Sequence, residues 1–207
     1  MNVLLHICCA PCANQCIDVL RGDGYGLTGF WYNPNIHPFT EYRARRNCLR
    51  EYAASVELPL LERDEYALRP FVRTVAEDIA HRCVKCYEMR LYAAAERAAA
   101  DGFDAFTSSL FISPYQNHEL LREVAERAAS EYGVQFLYRD FRPYFRAGQE
   151  RARALGMYCY PEILRLRLFR GGALPQGQAD HSLGSSSSKI CLHSITATGS
   201  RIMPRMP

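Results

Sequence analysis

No apolar run in this sequence approaches the roughly 20 residues that a membrane-crossing helix needs, and residues 1–20 have neither the basic start nor the small-residue cleavage site of a secretory leader. The chain therefore reads as cytoplasmic. Lysine is almost missing, since Lys85 and Lys189 are the only two among 25 Lys+Arg. The arginines suit bidentate phosphate contacts, yet their distribution removes most of the argument for an RNA partner from charge alone. Residues 1–157 hold 19 basic against 20 acidic side chains, and the formal excess of +3 comes entirely from the last fifty residues. No glycine-rich phosphate loop follows the first apolar run, which argues against a nucleotide-binding, adenylating domain.

With 207 residues, 48% of them hydrophobic, the chain is long enough for one well-buried domain and short for two. Its nine cysteines belong, in a reducing compartment, to metal or redox chemistry rather than to structural disulfides. They are grouped. Cys8, Cys9 and Cys12 form one cluster and Cys83 with Cys86 a second, while Cys16, Cys48, Cys159 and Cys191 stand alone. Cys16 and Cys48 read as packing residues.

Apolar runs alternate with helical patterns along the chain. Asn2 to Ile7 reads as a strand, Pro11 to Leu20 as a helix, Tyr25 to Tyr32 as a second strand and Phe39 to Val56 as a long polar helix. Leu58 to Leu61, Asp104 to Phe111 and Gln135 to Tyr138 are further strands. Tyr66 to Ile79, Arg82 to Ala100, Asn117 to Tyr132 and Tyr144 to Leu155 are further helices. This α/β alternation predicts a mainly parallel, Rossmann-like sheet with right-handed crossovers, whose ligands gather at the carboxyl ends of the strands. Segments rich in polar and aromatic residues follow the first, second, fourth and fifth predicted strands, which favours one shared site.

The array His6-Ile-Cys-Cys-Ala-Pro-Cys12 sets thiols just ahead of a helix N-terminus, where the helix dipole favours thiolate. Cys83 and Cys86, at i and i+3, share one face of another helix. Two separated cysteine groups supply the four thiolates that either an iron–sulfur cluster or a structural zinc requires. The adjacent Cys8-Cys9 pair fits a zinc knuckle poorly and favours iron. A zinc-binding RNA-recognition module without redox activity is the alternative.

Several blocks together resemble the QueH family of iron–sulfur epoxyqueuosine reductases. They are His6 to Cys12, Tyr32-Asn-Pro-Asn-Ile-His-Pro38 with Glu41-Tyr42, and Arg82-Cys-x-x-Cys86-Tyr-x-x-Arg90-Leu91. Phe106-Thr107, Ile112-Ser-Pro-Tyr-Gln116 and Phe136-Leu-Tyr-Arg-Asp-Phe-Arg142 complete the match, in order, up to about Tyr158. The resemblance implies a HUP-like, Rossmann-type domain over residues 1–158 that reduces the epoxide of epoxyqueuosine at the tRNA wobble position to give queuosine. It implies a 4Fe-4S cluster on Cys8, Cys9, Cys83 and Cys86, with Cys12 close enough to assist or to hold an additional mononuclear iron. Partners would be a tRNA carrying epoxyqueuosine in its anticodon loop and an unidentified electron donor. For the proton, Asp140 ranks first, ahead of Tyr115 and His37. Tyr32, Asn33, Asn35 and Tyr115 are candidates to stack on or hydrogen-bond to a splayed-out base, and His37, Gln116 and Arg142 join them as substrate-binding candidates. Arg43, Arg45, Arg46 and Arg50 share one helix and read as a solvated face.

Beyond this point the resemblance stops. The family continues into a Tyr-Cys-Gly-Cys segment whose cysteines form a redox-active disulfide; here the chain reads Cys159-Tyr-Pro-Glu-Ile-Leu-Arg-Leu-Arg-Leu-Phe-Arg-Gly-Gly-Ala-Leu174, then low-complexity sequence around Ser185 to Ser188. Ile163 to Leu174 can be written in codons that, read one nucleotide later, encode Tyr-Cys-Gly-Cys-Val-Phe-Ser-Glu-Glu-Glu-Arg. Residues 159–207 are accordingly expected to be a frameshift product without a packed core, and Cys191 and His193 to carry no design.

Overall fold

The computed structural model describes residues 1–157, so the stretch expected to be a frameshift product, including Cys159 and Cys191, lies outside the described residues. Strand and helix alternate as β1 (Asn2–His6), α1 (Ala10–Gly22), β2 (Gly26–Trp31), α2 (Phe39–Ser55), β3 (Leu60–Glu62), α3 (Leu68–Ala76), α4 (Arg82–Ala100), β4 (Ala105–Ser108), α5 (His118–Tyr132), β5 (Gln135–Phe136) and α6 (Phe145–Ala154). The five strands form one sheet in the order β3-β2-β1-β4-β5, and each neighbouring pair is parallel. This is the expected Rossmann-like, HUP-type arrangement. Helices cover both faces, which is why β1 reads as a continuous apolar run: Val3, Leu4 and Leu5 have no exposed surface.

Chain order reverses about β1, which pairs β2 on one side and β4 on the other. At such a switch point the crossovers diverge and leave a crevice beyond the carboxyl ends of the strands. Close packing holds the crevice walls. A Cβ at Gly29 would lie 3.0 Å from the Ile7 side chain and 3.1 Å from those of Leu58 and Leu60, so glycine lets β2 nest against its neighbours. On the other flank, Asn14 of α1 donates from Nδ2 to the Gly148 carbonyl at 2.9 Å and ties α6 across the start of α1.

Several boundaries differ from the sequence expectation, among them β3, which starts at Leu60 rather than Leu58, and β5, which stops at Phe136 rather than Tyr138; two others have a visible cause. β4 stops at Ser108 rather than Phe111, because the Ser108 hydroxyl accepts the Leu110 N–H at 3.2 Å and winds Ser109–Ile112 into a 3-10 turn. α3 occupies Leu68–Ala76, not Tyr66 to Ile79: the Tyr66 ring is drawn into an aromatic cluster with His37, Phe39 and Tyr42. α5 begins and ends as its sequence dictates. The Asn117 side chain accepts the Leu120 N–H at 3.1 Å, and Gly133, at φ 66°, closes the last turn in the left-handed conformation.

Candidate functional site

β1 delivers the chain into the crevice at His6, and Cys9 then adopts an extended conformation as the residue that caps α1. Its carbonyl accepts the N–H groups of Cys12 and Ala13, both at 3.2 Å, which curls the cysteine array around the helix start. The sulfurs of Cys8, Cys9 and Cys12 all lie within 4.8 Å of one another, with 3.9 Å between those of Cys8 and Cys9. Hydrogen bonds from Cys12 and Cys9 hold the Cys8 thiol well below its ordinary range, outweighing burial, and the Ser109 hydroxyl at 3.6 Å adds to this. The same bonds push Cys12 well up, because it is the partner that keeps its proton. The triad is thus built to present thiolate.

Behind it stands His6, fully buried. Its Nδ1 meets the Ser108 hydroxyl at 2.9 Å and its Nε2 the Tyr32 carbonyl at 3.2 Å. A carbonyl only accepts, so Nε2 carries the proton and Nδ1 accepts from Ser108. One imidazole therefore ties together the ends of β1 and β4 and the residue that follows β2. Burial, aided by the charge of Arg90, lowers its pKa to about 4.

α4 supplies the opposite group. Cys83 is exposed and Cys86 partly buried; burial pushes the Cys86 thiol up while the nearby Arg90 guanidinium pulls it back. Cys8, Cys12, Cys83 and Cys86 all line one cavity of about 420 Å³. Cys9, 1% exposed, lies behind Cys8 in the triad and not on the cavity wall.

Two other loops complete the wall. Asn33, following β2, is fixed by its Nδ2 donating to the Ile7 carbonyl at 2.9 Å, and its Oδ1, like that of Asn35, is buried without a protein partner. Both asparagines line the cavity, with these two unpaired oxygens buried at its wall. After β4 come Ser109, Tyr115 and Gln116. Gln116 accepts the Tyr87 hydroxyl at 2.6 Å through Oε1, which leaves its amide N–H groups as donors. Among the described residues no carboxylate lines the cavity. Two arginines do: Arg90, and Arg45, which is held at 2.5 Å by the buried Glu41.

Of the residues singled out from sequence, the cavity therefore gathers Cys8, Cys12, Cys83, Cys86, Asn33, Asn35, Tyr115 and Gln116. Cys9 lies beside Cys8 and Cys12 in the triad, and four others lie elsewhere. Tyr32 is 7% exposed and lies under the Arg63 guanidinium, 4.6 Å from its ring centre, so its ring is packed rather than offered to a base. His37 packs against Tyr66 and Phe71, at 5.2 and 5.3 Å. Asp140 and Arg142 hold each other, with contacts of 2.6 to 3.1 Å, and neither lines the cavity. That pairing keeps the Asp140 carboxyl below the usual carboxylate range, so at neutral pH it has no proton to give.

Other residues acquire places that the sequence reading did not give them. Arg45 is not part of a solvated face, and its spacing of four from Glu41 was the available signal. Arg50 does lie at the surface, paired with Glu62, whereas the Arg46 side chain, 16% exposed, is half-buried against Asp64. Arg90 and His6 sit inside the recognised motifs without an assigned role. Phe145 and Gln149 of α6 reach the cavity only because α6 folds back over α1. Cys16 is fully buried with its sulfur 3.3 Å from the Cys12 carbonyl, which agrees with a packing residue.

Four soft thiols lining one cavity, with Cys9 beside two of them and no competing carboxylate among the described lining residues, fit a thiolate-bound metal group and leave room beside it. The family model described as epoxyqueuosine reductase QueH matches residues 3–160. An epoxyqueuosine reductase QueH of Dehalococcoides mccartyi is 36% identical over 157 residues, covering 76% of this chain and 86% of its own. Its counterpart in Acinetobacter baylyi is 37% identical over 135 residues, 63% of this chain and 62% of its own length; that of Thermotoga maritima is 29% identical over 167 residues, 76% and 84%. A solved structure from Methanocaldococcus jannaschii, described as a predicted subunit of tRNA methyltransferase, aligns with a TM-score of 0.48 at 12% identity, covering 74% of this chain and 76% of its own.

Proposed function

This chain belongs to the epoxyqueuosine reductase QueH family, and on that footing we propose that it reduces the epoxide of epoxyqueuosine in the anticodon loop of tRNA to give queuosine. The observation that carries the proposal is the meeting of two distant cysteine groups at one cavity whose remaining wall offers oriented polar groups and no acid. Removing the ring oxygen as water and leaving a carbon–carbon double bond takes two electrons and two protons. An external electron donor supplies the electrons; a tRNA substrate sets the reaction in the cytoplasm.

Cys8, Cys9, Cys83 and Cys86 are the proposed holders of a 4Fe-4S cluster, with Cys12 as an adjoining thiol that assists or binds a further iron. When bound, such a cluster would pass electrons one at a time, and the further iron would supply Lewis acidity towards the epoxide oxygen. The protein's own groups do the rest. Asn33 and Asn35 accept hydrogen bonds from the donors of the modified base, and Gln116 donates one. Tyr115, a hydroxyl on the cavity wall and 81% exposed, replaces Asp140 as the proposed donor to the departing oxygen. Asp140 then acts through Arg142, which it holds in place. Tyr32 and His37 support the loop that carries the two asparagines.

Residues 159–207 are proposed to be read out of frame, which leaves the cluster ligands intact and removes the Cys-Gly-Cys pair. Anaerobic purification tests the central proposal. Brown protein with about four irons and matching sulfide, converting epoxyqueuosine-tRNA once the in-frame ending is restored, is the expected result. Colourless protein holding a single zinc would replace it with the RNA-binding module.

A further inference from the structure

We propose that Arg90 is a positioning residue of the metal centre, the fixed counter-charge that sets how readily the centre accepts an electron. This rests on the proposed thiolate-bound redox centre.

Arg90 follows Cys86 by one helical turn and is 5% exposed. Its Nε donates to the Cys86 carbonyl at 3.0 Å, which locks the side chain along α4, and a terminal nitrogen lies 3.7 Å from the Cys86 sulfur. Among the described residues it takes part in no ion pair, unlike Arg45 beside it on the cavity wall, and no carboxylate lines the cavity. A guanidinium out of water with no anion is a costly arrangement, tolerated where a counter-charge belongs. The groups that can supply one here are sulfurs: Cys86 in contact, Cys83 on the same helical face, and Cys8 on the other wall of the same cavity.

An N–H group aimed at a ligating sulfur and a nearby fixed cation both stabilise added negative charge, so they favour the reduced state. A guanidinium serves better than an ammonium because its planar fork reaches the carbonyl and the sulfur at once. Removing the charge should leave a centre that is harder to reduce.

The experiment compares wild type, Arg90→Gln and Arg90→Lys, loaded anaerobically, for iron and sulfide content and for midpoint potential by titration followed spectroscopically. The expected result is a more negative potential in Arg90→Gln at wild-type iron content, with Arg90→Lys nearer to wild type. Should Arg90→Gln remain folded but fail to load, loading of Arg90→Lys at a potential near wild type still supports the charge. A wild-type potential in a fully loaded Arg90→Gln overturns the inference, and so does Arg90→Lys behaving as badly as Arg90→Gln. If wild type itself holds no iron and sulfide, the proposed function has failed rather than the role of Arg90.

Discussion

His6 Nδ1 accepts the hydroxyl proton of Ser108 at 2.9 Å, so the last residues of two neighbouring strands are joined directly beneath the cysteine array. The same hydroxyl accepts the Leu110 N–H and ends β4. Ser108 thus both bends the chain towards Ser109, on the cavity wall, and fixes the tautomer of the imidazole.

Ser108→Ala should leave two buried polar atoms unpaired, His6 Nδ1 and the Leu110 N–H. Each such loss costs about 1–3 kcal/mol, so a combined destabilisation of roughly 2–6 kcal/mol is expected in urea unfolding. A change under about 0.5 kcal/mol, the scatter of ordinary surface substitutions, would mean that neither bond matters.

Folding lowers the His6 pKa from 6.5 to about 4. As the pH falls below 6.5 the unfolded chain takes up a proton that the folded one refuses, so this contribution is complete above 6.5 and is lost towards pH 4. Over that interval the shift corresponds to about 3 kcal/mol. In the metal-stripped protein, unfolding free energies measured at pH 7 and 4.5 should diverge far more in wild type than in His6→Gln. Parallel profiles would show that the imidazole titrates normally.

Cys83→Ser and Cys86→Ser should each abolish cluster assembly, since a hydroxyl is a poor ligand for iron and sulfide. Cys48→Ala, on α2 and away from the cavity wall, should keep wild-type iron content. Equal iron and sulfide in all three variants would remove α4 from the ligand set.

Tyr115→Phe should retain the cluster and slow epoxide reduction by about 10²-fold or more, the range expected for a lost proton donor. Asp140→Asn, which weakens only the hold on Arg142, should slow it several-fold at most. If Asp140→Asn is the more damaging of the two, the proton assignment returns to Asp140.

As written, the chain should convert little or no epoxyqueuosine-tRNA, because Cys159 has no Cys-Gly-Cys partner with which to form an intramolecular disulfide. Restoring the ending in frame should recover turnover. Full activity without it would make that pair dispensable, and codons around Cys159 that cannot be re-read as Tyr-Cys-Gly-Cys would end the frameshift account.

The sequence by itself determined the order of elements and the chemistry available. Apolar runs of two to six residues between amphipathic helices specify a parallel α/β sheet, and a cysteine spacing of three on α4 places Cys83 and Cys86 on one face whatever surrounds them. Local signals of this kind survive in the chain because propensity, capping and periodicity act over a few residues. Even there Ser108 could not be told from a strand residue, as its capping bond depends on where Leu110 goes.

Tertiary structure alone decided which of the marked residues share a space. Tyr32 and Asn33 are adjacent in sequence, yet one ring is packed under Arg63 while the other side chain faces the cavity, because successive residues leaving a strand point to opposite sides. Cys12 and Cys83 come together because parallel crossovers bring every strand to the same edge of the sheet. Arg90 looks like one of many arginines in the sequence, and only burial separates it from the rest. Whether a charge is solvated, paired or held in waiting for an anion depends on the water removed around it, and that is settled by the packing of segments far apart in the chain.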